Sequence, residues 1–480
     1  MSKYAQMSSW EREEELKGLV DQYERVKSRG LKLNMSRGKP SSEQLDLSLP
    51  LFDLLRSTST PAIYHASEID DYRNYGGLNG IPKARELMAG IMDVPADNVM
   101  VLGNSSLNLM YDSIARAMTH GVMGEDAWMI QSARTKEPVK FICPVPGYDR
   151  HFAICEHFGI KMIAVQLNAD GPDMNAVEAL VKDESVKGIW CVPKYANPTG
   201  IVYSQAVVKR LAALRPAAAD FRNYWDNAYA VHDFVLEDQQ PKLYSIKLAC
   251  EQASNNDIWY QFSSTSKITF PGAGIAAVAA SKANLADIAS KMAFQTIGPD
   301  KLNQLRHVLF FANDTLGQAD VMQVSAGQAD VVWRSAGQTA VAQVSAGQAD
   351  VMQVSAQQML ANVRAHMQRH AKIVAPKFAM VQEVLQKELG SLGIGEFTTP
   401  KGGYFISFTG IPKTAKRIVQ LAKEAGVVLT DAGATYPYAD DPTDANIRIA
   451  PTYPSIDELR SATELFALCV RIASLEVMNG

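Results

Sequence analysis

The sequence predicts an α/β protein in two parts: a large domain on a mostly parallel sheet covered by helices, and a smaller α+β domain after it. Three observations carry this. Between Val139 and Val192, short apolar runs alternate with amphipathic helical stretches, the pattern of strand–helix–strand crossover units. The polar turns Pro144–Tyr148, Pro193–Gly200 and Asp226–Tyr229 each follow an apolar run, and sheets of this kind take ligands beyond the carboxyl ends of their strands. Finally, 480 residues exceed what one hydrophobic core usually supports, so two domains are expected.

The elements follow in order. Ser8 or Ser9, with the acids between Glu11 and Glu15, predicts a helix running to about Ser28 that carries Leu16, Leu19, Val20 and Tyr23 at helical spacing. Leu33–Pro40 is an extended strip punctuated by Gly38 and Pro40, and its Arg37 and Lys39 suit a carboxylate or phosphate. The glycine-rich turn Asp71–Gly80 leads through Pro82 into a helix with Ala84, Leu87, Met88 and Ile91 on one face. Val99–Leu102 reads as a buried strand, then Gly103–Ser106 as a tight turn opening a helix. Backbone N–H groups at such a helix start, with hydroxyls beside them, suit an anion, although the same residues also make an ordinary cap.

Strands at Val139–Cys143, Lys161–Val165 and Gly188–Val192 alternate with helices at Asp149–His157 and Met174–Val181. Met359–Leu389 has helical periodicity interrupted near Pro376. Thr398–Phe408 then gives a turn and strand, Lys413–Gly426 a helix, Val427–Thr430 and Asn446–Ala450 strands, and Leu459–Met478 a closing helix. The expected organisation is an N-terminal segment (1–50) packing with the small domain, a large domain (51–312), an insertion (313–358) and a small C-terminal domain (359–480).

The insertion is a tandem repeat. Gly-Gln-Ala-Asp-Val-Met-Gln-Val-Ser-Ala begins at Gly317 and recurs with variations at Gly327, Gly337 and Gly347. A period of ten is too short for solenoid helix pairs, and the acids do not follow a calcium-loop spacing. It reads as a low-complexity surface segment with no chemistry of its own.

Composition narrows the function class. A formal net charge of −4 leaves no basic footprint for nucleic acid or an anionic membrane surface. The five scattered cysteines have neither disulfide nor zinc spacing, so reduced, mostly buried thiols and no metal are expected. No apolar run approaches membrane-spanning length, and the N-terminus opens on Tyr4, Trp10 and acids, so the expected compartment is the cytoplasm.

The chemistry centres on Lys267. It follows three hydroxyl residues, Ser264, Thr265 and Ser266, and precedes Pro271-Gly-Ala-Gly274, so an amine sits on a stiff small-residue turn that a bulky ligand can approach. An amine so placed can form a Schiff base and then move protons; a solvated loop lysine is the other reading.

In chain order, Gly103-Asn-Ser-Ser106, Pro146-Gly-Tyr148, Asn197-Pro-Thr-Gly200, Asp226-x-x-Tyr229, Ser264-x-Ser-Lys267 and Arg448 in Ile447-Arg-Ile449 resemble the fold-type I pyridoxal-phosphate aminotransferases. The resemblance covers nearly the whole chain except the repeat. Met35–Pro40, Tyr75–Gly80 and Ser266–Gly274 are most similar to a divergent bacterial aspartate aminotransferase subgroup. The set is specific as a set. It implies a seven-stranded-type sheet in the large domain and pyridoxal 5'-phosphate as cofactor. Lys267 is then the Schiff-base lysine and proton shuttle, and Asp226 the partner of the pyridine nitrogen. Asn197 and Tyr229 hold the ring oxygen, and Tyr148 stacks on the ring. Asn104, Ser105, Ser106 and Ser264 meet the phosphate, with Tyr75 reaching over from a second subunit. Arg448 clamps the substrate α-carboxylate, with Asn197 and Arg37 beside it. Most relatives carry a phosphate-binding arginine soon after the lysine; here Pro271–Ile275 has none, and Arg37, Lys39 or backbone dipoles are left to meet the charge.

The implied activity is ping-pong transamination between aspartate or glutamate and 2-oxo acids, in a homodimer with shared active sites. A lyase or decarboxylase on the same cofactor is the alternative, as is a chain inactivated by a natural or engineered repeat insertion. A cofactor-sensing transcription regulator would need a DNA-binding domain, for which the short acidic N-terminal helix offers no room.

Overall fold

The computed structural model describes residues 3–56, 59, 61–65, 71–313 and 354–479; the tandem repeat up to residue 353 lies outside them. The main elements are α1 (Ser9–Lys27), β1 (Leu33–Asn34), α2 (Pro82–Met92), β2 (Val99–Leu102), α3 (Ser106–His120), β3 (Lys140–Val145), α4 (Asp149–His157), β4 (Lys161–Asn168), β5 (Gly171–Pro172), β6 (Val186–Cys191) and β7 (Arg222–Asp226). They continue with β8 (Trp259–Ser264), β9 (Ala276–Ala280), α5 (Lys301–Ala312), α6 (Ala356–Leu389), β10 (Gly395–Phe397), β11 (Ile406–Gly410), β12 (Val427–Val428), β13 (Asn446–Ile449) and α7 (Ile456–Asn479). The chain forms two compact units. The first comprises Met1–Gln44, Met110–Tyr260 and His370–Gly480, the second Leu45–Leu109 and Gln261–Arg369.

In the first unit the strand order is β7-β6-β3-β4-β5. The β7–β6, β6–β3 and β3–β4 pairs are parallel, with Ile142 opposite both Ile189 and Ile163, and the two-residue β5 closes the edge antiparallel. Every residue of β6 and β7 is buried. β6 is the apolar run that a covered parallel sheet demands except at Lys187, whose buried Nζ donates to Asp220 Oδ1 and Gln131 Oε1, both at 2.7 Å. In β7 the run is Arg-Asn-Tyr-Trp-Asp, and its polar members are buried with partners: Arg222 Nη1 donates to Ala219 O and Phe221 O, and Asn223 Nδ2 donates to Leu211 O.

The same unit holds the antiparallel sheet β10-β11-β13, with Arg448 opposite Ser407, and the parallel pair β1–β12. One apolar core joins Leu19 and Tyr23 of α1 to Val381 of α6, Phe408 of β11 and Phe466 of α7. Of the two serines expected to cap α1 it is Ser8 that does so, in a capping box: Ser8 Oγ accepts from Glu11 N at 3.2 Å while the Glu11 carboxylate accepts from Ser8 N at 2.7 Å.

Helix α6 differs from expectation, since it runs through Pro376 without a break. Val374 and Phe378 on either side are buried and hold the helix on the core, whereas Pro376 and Lys372 are exposed. On the exposed side of a helix water can reach a carbonyl freed by a missing N–H, which lowers the cost of an internal proline.

The second unit contains β2 and β9, paired antiparallel with Val101 opposite Ala277, and the last four residues of β8 beside β9. Helices α2 and α5 join there through Gln304, whose Nε2 donates to Val101 O at 3.0 Å and whose Oε1 accepts from Ile81 N at 2.8 Å. No helix among the described residues is long and apolar enough to cross a membrane.

Candidate active site

The first unit gathers polar side chains at the carboxyl ends of its parallel strands. Asp226 ends β7 and is 3 % exposed. His151, on the first turn of α4, donates from Nε2 to Asp226 Oδ2 at 3.0 Å, and its ring stacks on Trp190 at 4.4 Å. The other oxygen of Asp226, Oδ1, is buried without a hydrogen-bond partner. A carboxylate only accepts, so this oxygen suits a donor such as a protonated ring nitrogen.

Arg448, on β13, is 5 % exposed. Its Nη1 donates to Asp149 Oδ1 at 2.6 Å and to Asn197 Oδ1 at 3.3 Å, its Nε to Thr430 Oγ1 at 3.4 Å, and its plane lies 4.9 Å over the Phe405 ring. Thr430 Oγ1 in turn donates to Ser36 O, which seats the exposed Arg37 strip beside the same strand. Tyr148 and Tyr229 belong to this group. Burial holds both phenols well above their ordinary pKa, and the nearby Asp226 carboxylate pushes the same way. Each stays a neutral hydroxyl at pH 7, able to donate.

The turn bearing Asn197 is held in place. Tyr195 sits at φ +51°, a conformation few side chains adopt, and its hydroxyl donates to Asp233 Oδ1 at 2.5 Å. Lys194 Nζ donates to Ala230 O at 2.9 Å and to Asp233 Oδ2 at 3.0 Å. Gly402 is required opposite, because a Cβ there would meet His232 O and the Tyr195 ring at 2.3 Å.

The second unit carries the other predicted residues. Lys267 is half-buried on a single turn closed by Thr269 N donating to Thr265 O at 2.8 Å. Ser264 Oγ donates to Ser266 Oγ at 3.0 Å, and Ser266 Oγ to Asn104 O at 3.3 Å, so the serines next to the lysine adjoin the turn at the start of α3. Ser105 caps that helix, accepting from Leu107 N at 3.2 Å, and Ser106 is its first residue. Gly274 closes the far side: a Cβ would lie 3.1 Å from Thr265 Oγ1 and 3.2 Å from Asn104 O. Small side chains, hydroxyls and a helix N-terminus make a cradle fit for a phosphate, with no arginine in it among the described residues. Tyr75 stands apart, 82 % exposed.

Sequence reasoning missed His151, Asp149, the Lys194–Tyr195–Asp233 group and Thr430. Of these only Asp149 and His151 had a signal, as polar residues in the helical turn directly after Tyr148.

A family model described as aspartate amino-transferase matches residues 7–332 and 315–480. The chain belongs to this family. The two matched stretches together span nearly all of this aminotransferase and overlap within the repeat. An aspartate aminotransferase of Corynebacterium glutamicum is 41% identical over 454 residues, 95% of this chain and 92% of that protein. A putative aminotransferase of Mycolicibacterium smegmatis is 42% identical over 460 residues, 95% of each chain. Among solved structures, an aspartate transaminase from C. glutamicum superposes at TM-score 0.85 with 38% identity, over 99% of both chains. Pyridoxal 5'-phosphate is the cofactor of such enzymes, and transamination rather than the lyase or decarboxylase alternative is the supported reaction.

Proposed function

We propose that this aminotransferase moves the amino group of aspartate or glutamate to a 2-oxo acid, with Lys267 as the lysine that holds the cofactor aldehyde. The observation that carries the reading is Asp226, a buried carboxylate with one oxygen bound to His151 and the other open to a donor. Bound pyridoxal phosphate supplies an aldehyde and an electron-accepting ring. Asp226 keeps a proton on the ring nitrogen, and His151 orients Asp226. Asn197 and Tyr229 donate hydrogen bonds to the ring oxygen, and Tyr148 covers the ring face. Backbone and hydroxyl groups of Asn104, Ser105, Ser106 and Ser264 take the phosphate. Arg448 receives the substrate α-carboxylate as a planar fork, with Asn197 and Arg37 on the same side. The amine of Lys267, freed once the substrate amine takes its place, would take the Cα proton and deliver it to the former aldehyde carbon, and would run the same transfer backwards in the second half-reaction.

The preference for a dicarboxylic substrate is supported by the C. glutamicum relative, which carries that name. A homodimer is supported by exposed apolar side chains on the second unit: Phe294 at 95 %, Tyr75 at 82 %, Ile297 at 64 % and Phe52 at 58 %. Tyr75 would then complete the partner's phosphate site. Five free, buried cysteines favour a reducing compartment, which fits the cytoplasm.

The test is direct. Purified protein given the cofactor should acquire a visible absorbance band that Lys267→Ala removes. With aspartate and 2-oxoglutarate it should form oxaloacetate and glutamate. Release of pyruvate or ammonia without amino transfer would refute the reading.

A further inference from the structure

Two buried histidines, neither assigned a part in the transfer, grip the turn that carries Lys267. His307 on α5 is 0 % exposed and His366 on α6 is 2 % exposed. His307 Nδ1 lies 2.8 Å from Asn303 O, which can only accept, so Nδ1 carries the proton. Its Nε2 is then an acceptor, 3.0 Å from Thr269 Oγ1 and 3.2 Å from Thr265 Oγ1. His366 has the opposite arrangement. Arg369 Nη2 donates to Nδ1 at 2.9 Å, so Nε2 carries the proton and donates to Ile268 O at 2.8 Å.

These contacts bracket the lysine: Thr265 lies two residues before it, Ile268 directly after and Thr269 two after. A third grip comes from α5, where Asn303 Nδ2 donates to Ala273 O at 3.1 Å and Gly274 O at 2.9 Å. The helices also lock each other, the His366 ring meeting those of Phe310 and Phe311 edge-on at 5.3 and 5.8 Å. Burial pushes His307 down to about 4, so the ring is neutral at the pH where aminotransfer is measured. A side chain that only filled space would not need opposite tautomers facing a hydroxyl pair on one side and a carbonyl on the other.

We propose that His307 and His366 are positioning residues that fix the Thr265–Thr269 turn from two sides and so aim the Lys267 amine. The inference rests on Lys267 as the cofactor lysine. The grips come from α5, which ends at Ala312, and α6, which begins at Ala356, the described helices on either side of the repeat.

The experiment uses the full-length chain loaded with pyridoxal phosphate. His307→Leu and His366→Leu are each compared with the Gln variant, whose terminal amide offers an oxygen or an N–H near the reach of Nε2. The readouts are the pH titration of the visible band and the separate values of kcat and KM for the amino donor. Each Leu variant should move the titration midpoint by about half a unit or more. It should also lower kcat on the order of tenfold with KM within about twofold, while Gln recovers most of the loss. Leu variants that titrate and turn over like wild type would overturn the proposal, and so would Leu and Gln variants with equal losses. If a Leu variant does not fold, Thr269→Val removes the nearer of the two hydroxyls facing His307, and an unchanged titration there has the same force. A wild-type chain without a visible band sinks the cofactor-lysine reading as well; a normal wild-type band with indifferent variants sinks this inference alone.

Discussion

Replacing Arg448 with lysine separates binding from chemistry at the proposed carboxylate clamp. The guanidinium is 5 % exposed and held by Asp149, Asn197, Thr430 and the Phe405 ring, so its plane is set before substrate arrives. Lysine keeps the charge but offers a point donor in place of a fork, and one of two charge-assisted hydrogen bonds to the α-carboxylate is lost. Such a bond is worth about 1.5–3 kcal/mol, roughly a 10- to 150-fold change at 1.36 kcal/mol per decade. The α-carboxylate does not change during transfer, so the loss falls equally on ground and transition states. KM should rise by that factor with kcat held within about threefold. Steady-state kinetics of R448K run in both directions is the assay. Since amino acid and 2-oxo acid present the same group, both KM values must rise together; a change confined to one substrate, or below about threefold in both, would refute the clamp.

Other outcomes follow from the same geometry. Asp149→Asn removes a negative charge that would share Arg448, the proposed clamp, with the substrate, and should lower KM for the amino donor by a few-fold, about 1 kcal/mol after solvent screening; a raised KM would mean that Asp149 serves to aim the arginine. Folding lowers His307 from 6.5 to about 4, so between these values the unfolded chain binds the extra proton and stability rises with pH. This group should contribute about 3 kcal/mol above pH 6.5 that is lost as pH falls toward 4, and H307Q should show a flatter dependence of melting temperature than wild type over that window. Gly402→Ala drives a Cβ to 2.3 Å from His232 O and the Tyr195 ring and should cost about 1–3 kcal/mol in denaturant titration, with weaker cofactor retention because the Asn197 turn shifts. All five cysteines are buried, and burial pushes the Cys250 thiol up to about 12, so the native protein should resist alkylation at pH 8 until denaturant is added.

Where a residue's neighbours in sequence decide its structure, the chain could be read directly. Helix α4 runs from Asp149 to His157 as its periodicity predicts, and the Ser8–Glu11 pair marks the start of α1. Lys267 and Asn197 stood out as candidates because each sits in a short turn of unusual composition, and Asp226, the last residue of β7, because such a turn follows it. Pro376 was misread because its cost depends on which side of α6 faces water, a tertiary fact. The β7 run was hard to read because its buried polar side chains are met by backbone carbonyls, Ala219 O and Phe221 O for Arg222 and Leu211 O for Asn223, which side-chain patterning does not show. His307 and His366 were invisible for the same reason: each is a single histidine inside a helix, and only the fold reveals that both end at one turn.

With Asp226 as the proposed partner of the cofactor's ring nitrogen, its open oxygen ties cofactor supply to protein lifetime. A buried acceptor without a donor costs about 1–3 kcal/mol, and the folded chain carries that cost until a ligand donor meets it. Loading therefore stabilises the fold by mass action as well as enabling chemistry. Chains made when vitamin B6 is scarce should unfold and be degraded sooner than loaded ones, so the steady-state amount of this protein in a cell would follow its cofactor even at constant synthesis.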